Sequence, residues 1–134
     1  MKRAMLERLV EMGNRVGCFL IATADNEGTP HIASARRAEL LAGDRFAVTE
    51  WFCPGTIANL QTNPRLSVVA WDSTTDIGYQ VIGESAEIKD VAMLDGFEAD
   101  RDEPAPVPQV ERRLLVSAEA VLEFKQRPHS DRPV

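Results

Sequence analysis

Short apolar segments punctuated by polar turns constrain the fold of this chain more than any other feature. GCFLIATA ends at DNEG (25–28), TPHIASARRAELL ends at AGD (42–44), and residues 45–51 follow as a further apolar stretch. Gly, Asn and Asp supply the backbone conformations that tight turns demand. Two such turns about 15 residues apart predict an antiparallel meander. Within residues 45–51, alternation puts Phe46 and Val48 on one side and Ala47, Thr49 and Trp51 on the other.

The flanking segments extend this pattern. Met5, Leu6, Leu9, Val10 and Met12 fall along one side of a helix over residues 2–12, with Gly13-Asn14 as its expected stop, so residues 1–14 predict a helical lid on the sheet. LSVVAW (66–71) is nearly continuous apolar sequence and predicts a strand buried on both faces. STTD (73–76) makes another turn, and residues 78–88 return as a longer strand in which Gly83 marks a bulge or barrel corner. One or two helical turns are expected over 91–97, and the Pro-rich EPAPVPQ (103–109) predicts an extended connector. Leu114, Val116, Ala118, Ala120, Leu122 and Phe124 alternate with Arg113, Ser117, Glu119, Glu123 and Lys125, a half-buried strand pattern, while SAEAVLEF offers a competing helical reading. Residues 126–134 are expected to be a flexible tail. The sum is one mainly β domain (α+β) over residues 1–134, with about six strands and two or three short helices, predicting a six-stranded antiparallel barrel, closed or split.

Composition narrows the function. A net charge of −6, with no basic run longer than Arg36-Arg37 or Arg112-Arg113, argues against nucleic-acid or anionic-membrane partners. No apolar run approaches the ~20 residues that span a membrane, and the interleaved start MKRAMLERLVEMGN does not read as a signal peptide, so a cytoplasmic protein is expected. Cys18 and Cys53 stand 35 residues apart without a CxxC pattern, which excludes a recognisable zinc framework and predicts two reduced thiols, Cys18 as a core residue. His31 and His129 have no carboxylate or serine signature, and no catalytic side chain or metal ligand is assigned. At 134 residues the chain is short for a private active-site cleft, which directs attention to a site shared between subunits.

The segment with the clearest chemical content is WFCPGTIANLQTNP (51–64). An aromatic strand end passes through Pro54-Gly55 into a short helix that Asn63-Pro64 stops. The first amides of a helix lack intrahelical acceptors and carry partial positive charge, so such a start can hold an anion without a metal. Thr56 by itself fits an ordinary helix N-terminal position as well as a ligand contact, Asn59 is unfavourable by propensity inside so short a helix, and Trp51 and Trp71 fit core or interface positions.

The blocks ATADNEGTPHIA, GTIANLQTNPRLSVVAW and GYQVIGESAEI, in this order over roughly residues 16–90, resemble the FMN-binding split-barrel family typified by pyridoxamine 5'-phosphate oxidase and by short flavin-binding redox proteins. The resemblance implies a six-stranded split barrel, a homodimer, and FMN in a groove made by both subunits. Residues 31–37 would then run along the flavin, with Ser34, Ala35 and Arg36 at the ring and ribityl chain. Thr49 and Trp51 would come from the adjacent strand, Gly55, Thr56 and Asn59 would take the phosphate, and Gln80 would lie near the flavin or the partner subunit. Where members closest to the oxidase carry a basic pair before the helix, this chain has Pro54-Gly55, so the counter-charge is expected from Arg36, Arg37 or the second subunit. The implied activity is that of an FMN oxidoreductase or electron-transfer protein with a small-molecule donor or acceptor. A split-barrel sensor for another anion, or a relative using deazaflavin or haem, is the alternative.

Overall fold

A computed structural model describes residues 2–51, 53–94, 109–128 and 133–134. The elements run α1 (Lys2–Val16), β1 (Phe19–Ala24), β2 (Pro30–Ala35), β3 (Arg37–Leu40), β4 (Arg45–Trp51), α2 (Pro54–Thr62), β5 (Arg65–Asp72), β6 (Ile77–Leu94) and β7 (Gln109–Glu123). Seven strands, rather than six, form one antiparallel sheet in the order β2-β1-β5-β6-β7-β4-β3. The extra strand arises at Arg36, where one continuous apolar segment bends and splits into β2 and β3. Those two strands are neighbours in sequence yet occupy opposite ends of the sheet, so the sheet must curl, and β2 touches β4 across the gap.

The curl has visible causes in the backbone. Opposite Ile82 and Gly83, β7 carries the extra residue Glu119, and β6 carries extra residues at Ala86 and Val91. Each bulge bends its strand and adds right-handed twist. Gly83 lies at the first of them as its sequence position suggested: a Cβ there would come within 2.3 Å of the Ser117 carbonyl oxygen. The Glu119 bulge also flips the side-chain parity, which is why Val121 enters the core after Ala118 in place of Ala120, Leu122 and Phe124. A fourth irregularity, between Val48 and Trp51, brings Trp51 onto the side of Phe46 and Val48, opposite to simple alternation, with Glu50 at φ 56°.

One transverse row of buried residues crosses the sheet. Ala33, Ile21, Val68, Val81 and Val121 pair in a row across five strands, and all are buried. Leu6, Leu9 and Val10 of α1 and Leu60 of α2 pack into the same cluster. β5 alternates buried and partly exposed residues, contrary to the expectation of burial on both faces, because only one face of the sheet meets the helices. The opposite face holds the rows Ser34–Leu20–Val69–Gln80–Leu122 and Ile32–Ala22–Ser67–Ile82–Ala120.

Local sequence explains most ends. α1 runs past Gly13-Asn14 to Val16, and Gly17 stops it at φ 81°, with the Gly17 and Cys18 amides donating to the Gly13 carbonyl. Asn14 remains helical and clamps β3 through its side chain, which donates to the Ala38 carbonyl at 2.9 Å and accepts from the Ala38 amide at 2.8 Å. Residues 91–94 continue β6 rather than forming helical turns, and SAEAVLEF is strand through Glu123. Residues 95–97, 103–108 and 129–132, with the expected connector up to Pro108, His129 and part of the expected flexible tail, lie outside the described residues. The described tail residues are anchored: Asp76 accepts from the Gln126 and Arg127 amides, and the Val134 amide donates to the Val121 carbonyl.

Candidate functional site

α2 begins where the chain leaves the bulged end of β4, and its approach to the sheet brings together residues far apart in sequence. Cys53 is the N-cap and Pro54 follows, so the first helical position has no amide to leave unsatisfied. α2 rests on β1 and β2. There Thr23 and His31 pair across the two strands, on the core-facing side of the row. Asn59 donates from Nδ2 to Thr23 Oγ1 at 3.0 Å. Gly55 faces the His31 ring, where an added Cβ would come within 3.3 Å of Cε1 and Nε2. His31 Nε2 in turn lies 3.1 Å from Cys53 Sγ.

The electrostatics of this corner favour negative charge. Partial burial pushes the Cys53 thiol up, but the hydroxyl and amide of Thr56 and the His31 ring outweigh it, leaving the thiol below its ordinary value. Thr56 itself is fully buried, and apart from its approach to the Cys53 sulfur its Oγ1 has no hydrogen-bond partner. Trp51 Nε1 is the other orphaned buried side-chain atom among the described residues, so both fall at the junction from β4 into α2. Buried polar groups are normally paired, and two orphans at one junction fit a place where a ligand supplies the missing partner.

The remaining candidates from the sequence are spread over other parts of the sheet. Ser34, Ala35 and Arg36 line a cavity of about 170 Å³ with Gly17, Cys18 and Glu50. Ala35 is buried, Ser34 and Arg36 are exposed, and Arg36 forms no ion pair among the described residues. Thr49 pairs with Arg37 across β3 and β4, its hydroxyl 3.5 Å from the Arg37 carbonyl. Gln80 lies on the outer face of the sheet, donating from Nε2 to Ser67 Oγ at 2.7 Å. Trp51 is inside the core cluster. β2 therefore connects a helix-start corner at His31 with a cavity at Arg36, five residues and roughly 16 Å apart along an extended strand. That separation places Arg36 at the opposite end from Gly55 and Thr56 within one chain.

Sequence reasoning missed His31. Its signal was present, since alternation in PHIASA puts His31 on the side of Ala33 and Ala35, both buried. Nothing local marked Cys53 as its partner 22 residues later. Among the described residues no group of three or more His, Cys, Asp or Glu side chains could hold a metal ion, and no helix is long and apolar enough to cross a membrane.

Comparison with known proteins places this geometry. An FMN-binding protein from Syntrophomonas wolfei superposes with a TM-score of 0.63 at 15% identity, covering 93% of this chain and 92% of its own. A structure described as F420 reductase gives 0.55 at 16% identity over 86% of this chain and 94% of its own. The haem storage protein HutZ of Vibrio cholerae gives 0.54 at 12% identity over 90% and 93%. At these identities the likeness is one of fold. No curated protein sequence matches the chain. The sequence profile of pyridoxamine 5'-phosphate oxidase, however, matches residues 5–124, nearly the whole chain and every element described above. The chain belongs to the pyridoxamine 5'-phosphate oxidase family.

Proposed function

We propose that this protein is an FMN-binding oxidoreductase or electron-transfer protein that works as a homodimer in the cytoplasm. The observation that carries the reading is the orphaned Thr56 hydroxyl, fully buried at the start of α2. A phosphate oxygen at that helix start would accept from Thr56 Oγ1 and from the Gly55 amide, with the helix dipole adding to the attraction. Asn59, held by Thr23, would steady the same end. Ser34, Ala35 and Arg36 would meet the ring end at the far side of β2, and FMN would supply one- and two-electron transfer there. The solved neighbour from Syntrophomonas wolfei is itself an FMN-binding protein.

The dimer has its own support. The cavity of about 170 Å³ at Ser34–Arg36 falls short of the ~300–1,000 Å³ that usually encloses a cofactor, so a second copy is needed to complete it. The outer face of the sheet offers a surface for that copy, since Ile32 is 64% and Leu20 40% exposed there, beside the half-buried Val69, Ile82 and Leu122. Contiguous exposed apolar surface marks an association site.

The reading predicts that purified protein given excess FMN acquires flavin absorbance on the protein fraction; a protein that stays colourless sinks it. Thr56→Val, which keeps shape but removes the donor, should weaken FMN roughly 10- to 100-fold, the worth of a hydrogen bond to a charged group. Riboflavin, lacking the phosphate, should be nearly unaffected. Equal losses for both ligands would remove Thr56 from the phosphate site.

A further inference from the structure

Cys53 combines three features that a merely structural thiol does not need. Its Sγ is 3.1 Å from His31 Nε2, a donor–acceptor distance suited to moving a proton between them. It occupies the N-cap of a nine-residue helix, where partial positive charge stabilises an anion. The Thr56 hydroxyl, fully buried and with no other partner, belongs to the same first turn and faces the sulfur, whose ionised form it favours. Cys53 is only partly buried, and the neighbouring Pro54 and Gly55 are exposed, so solvent-borne molecules reach it. Gly55 also matters here, because any side chain at that position would press on the His31 nitrogen that faces the sulfur.

We propose that Cys53, with His31 as its proton partner, is a thiol–disulfide exchange site that takes low-molecular-weight disulfides. His31 removes the thiol proton, and Sγ attacks one sulfur of the small disulfide. A bond forms between Cys53 and that sulfur, the original sulfur–sulfur bond breaks, and its electron pair leaves on the second sulfur. That sulfur takes the proton from His31 and departs as a free thiol. Cys53 is oxidised to a mixed disulfide and the departing half is reduced, so the exchange balances without another reagent.

The adduct stays with the small molecule. Cys18 precedes β1, five residues from Thr23, the partner of His31, and roughly 16 Å of strand between them exceeds the reach of a disulfide. No intrachain bond can therefore displace the first one. A phosphate at the same helix start would compete for the Thr56 hydroxyl, so the exchange belongs to the chain free of FMN.

The test uses the native full chain and oxidised glutathione at neutral pH, followed by intact mass and peptide mapping. One glutathione should add at Cys53 about tenfold or more faster than at Cys18, and faster than at Cys53 in the urea-unfolded chain, because the folded thiol carries more thiolate. His31→Asn should bring the Cys53 rate down toward that of the unfolded chain, the helix start and the Thr56 hydroxyl retaining part of the advantage. Equal rates at Cys53 and Cys18 in the folded protein would overturn the proposal, as would an unfolded chain that reacts as fast as the native one. The folded-against-unfolded comparison needs no variant, so it decides even if His31→Asn fails to fold.

Discussion

A Cβ at position 13 would sit 2.1 Å from the Phe19 ring, inside the contact distance of any pair of carbon atoms. Gly13 therefore serves packing, although glycine in a helix ordinarily costs about 1 kcal/mol relative to alanine. Propensity and packing make opposite predictions for Gly13→Ala, and burial decides between them. The variant should lose about 1–3 kcal/mol to overpacking, measured by urea denaturation. Phe19→Leu in the same background should recover part of the loss. A more stable single variant would show that the ring moves freely and that Gly13 is an ordinary helical position. Gly55 meets the His31 ring in a similar way but at a gentler 3.3 Å, at the surface rather than in the core.

Among elements, the turn between β5 and β6 is tied by several donors. Asp76, at φ 56°, accepts from Trp71 Nε1 at 3.0 Å, from the amides of Gln126 and Arg127, and from the Arg127 guanidinium. The Gln126 amide and these other donors hold its carboxyl far below the ordinary range. Asp72, one turn earlier, is also lowered, chiefly by the Arg15 guanidinium that ties α1 to β5 at 2.8 Å. A carboxyl with a depressed native pKa binds fewer protons in the folded state than in the unfolded one. Its contribution is complete above the unfolded value of about 4 and disappears as pH falls below it. Thermal midpoints should accordingly drop in acid below about pH 4. Asp76→Ala should lower the midpoint at neutral pH, flatten that acid decline, and speed amide exchange at Gln126 and Arg127. Unchanged exchange there would mean that the tail is held by other contacts.

At the scale of the whole molecule, a sheet with helices on only one face leaves the other uncovered by the chain's own described elements. If the outer rows carry the dimer, charges placed on them should break it. Ile32→Glu with Leu20→Lys should convert a dimer into a folded monomer in light scattering, and the flavin proposed for the shared groove should be lost with it. A wild-type chain that is monomeric at micromolar concentration, or a double variant that stays dimeric, would remove this face from the interface.

The residues alone determined the local elements. Apolar spacing identified α1, turn residues set the ends of β1 and β4, and Gly83 marked its bulge, because each signal depends on neighbours within a few positions. The order of GTIANLQTNPRLSVVAW and its companion blocks was enough to indicate the family. Tertiary structure decided what depends on a facing strand. A bulge is one extra residue relative to a partner, so the parity changes at Glu119 and before Trp51 have no local mark, and neither does the bend at Arg36 that raises the strand count to seven. The contact between His31 and Cys53 belongs to the same class. Sequence supplied the imidazole, the thiol and a helix start, but only the docking of α2 on β1 and β2 makes them one site, since their proximity is a property of the packed sheet and not of the chain between them.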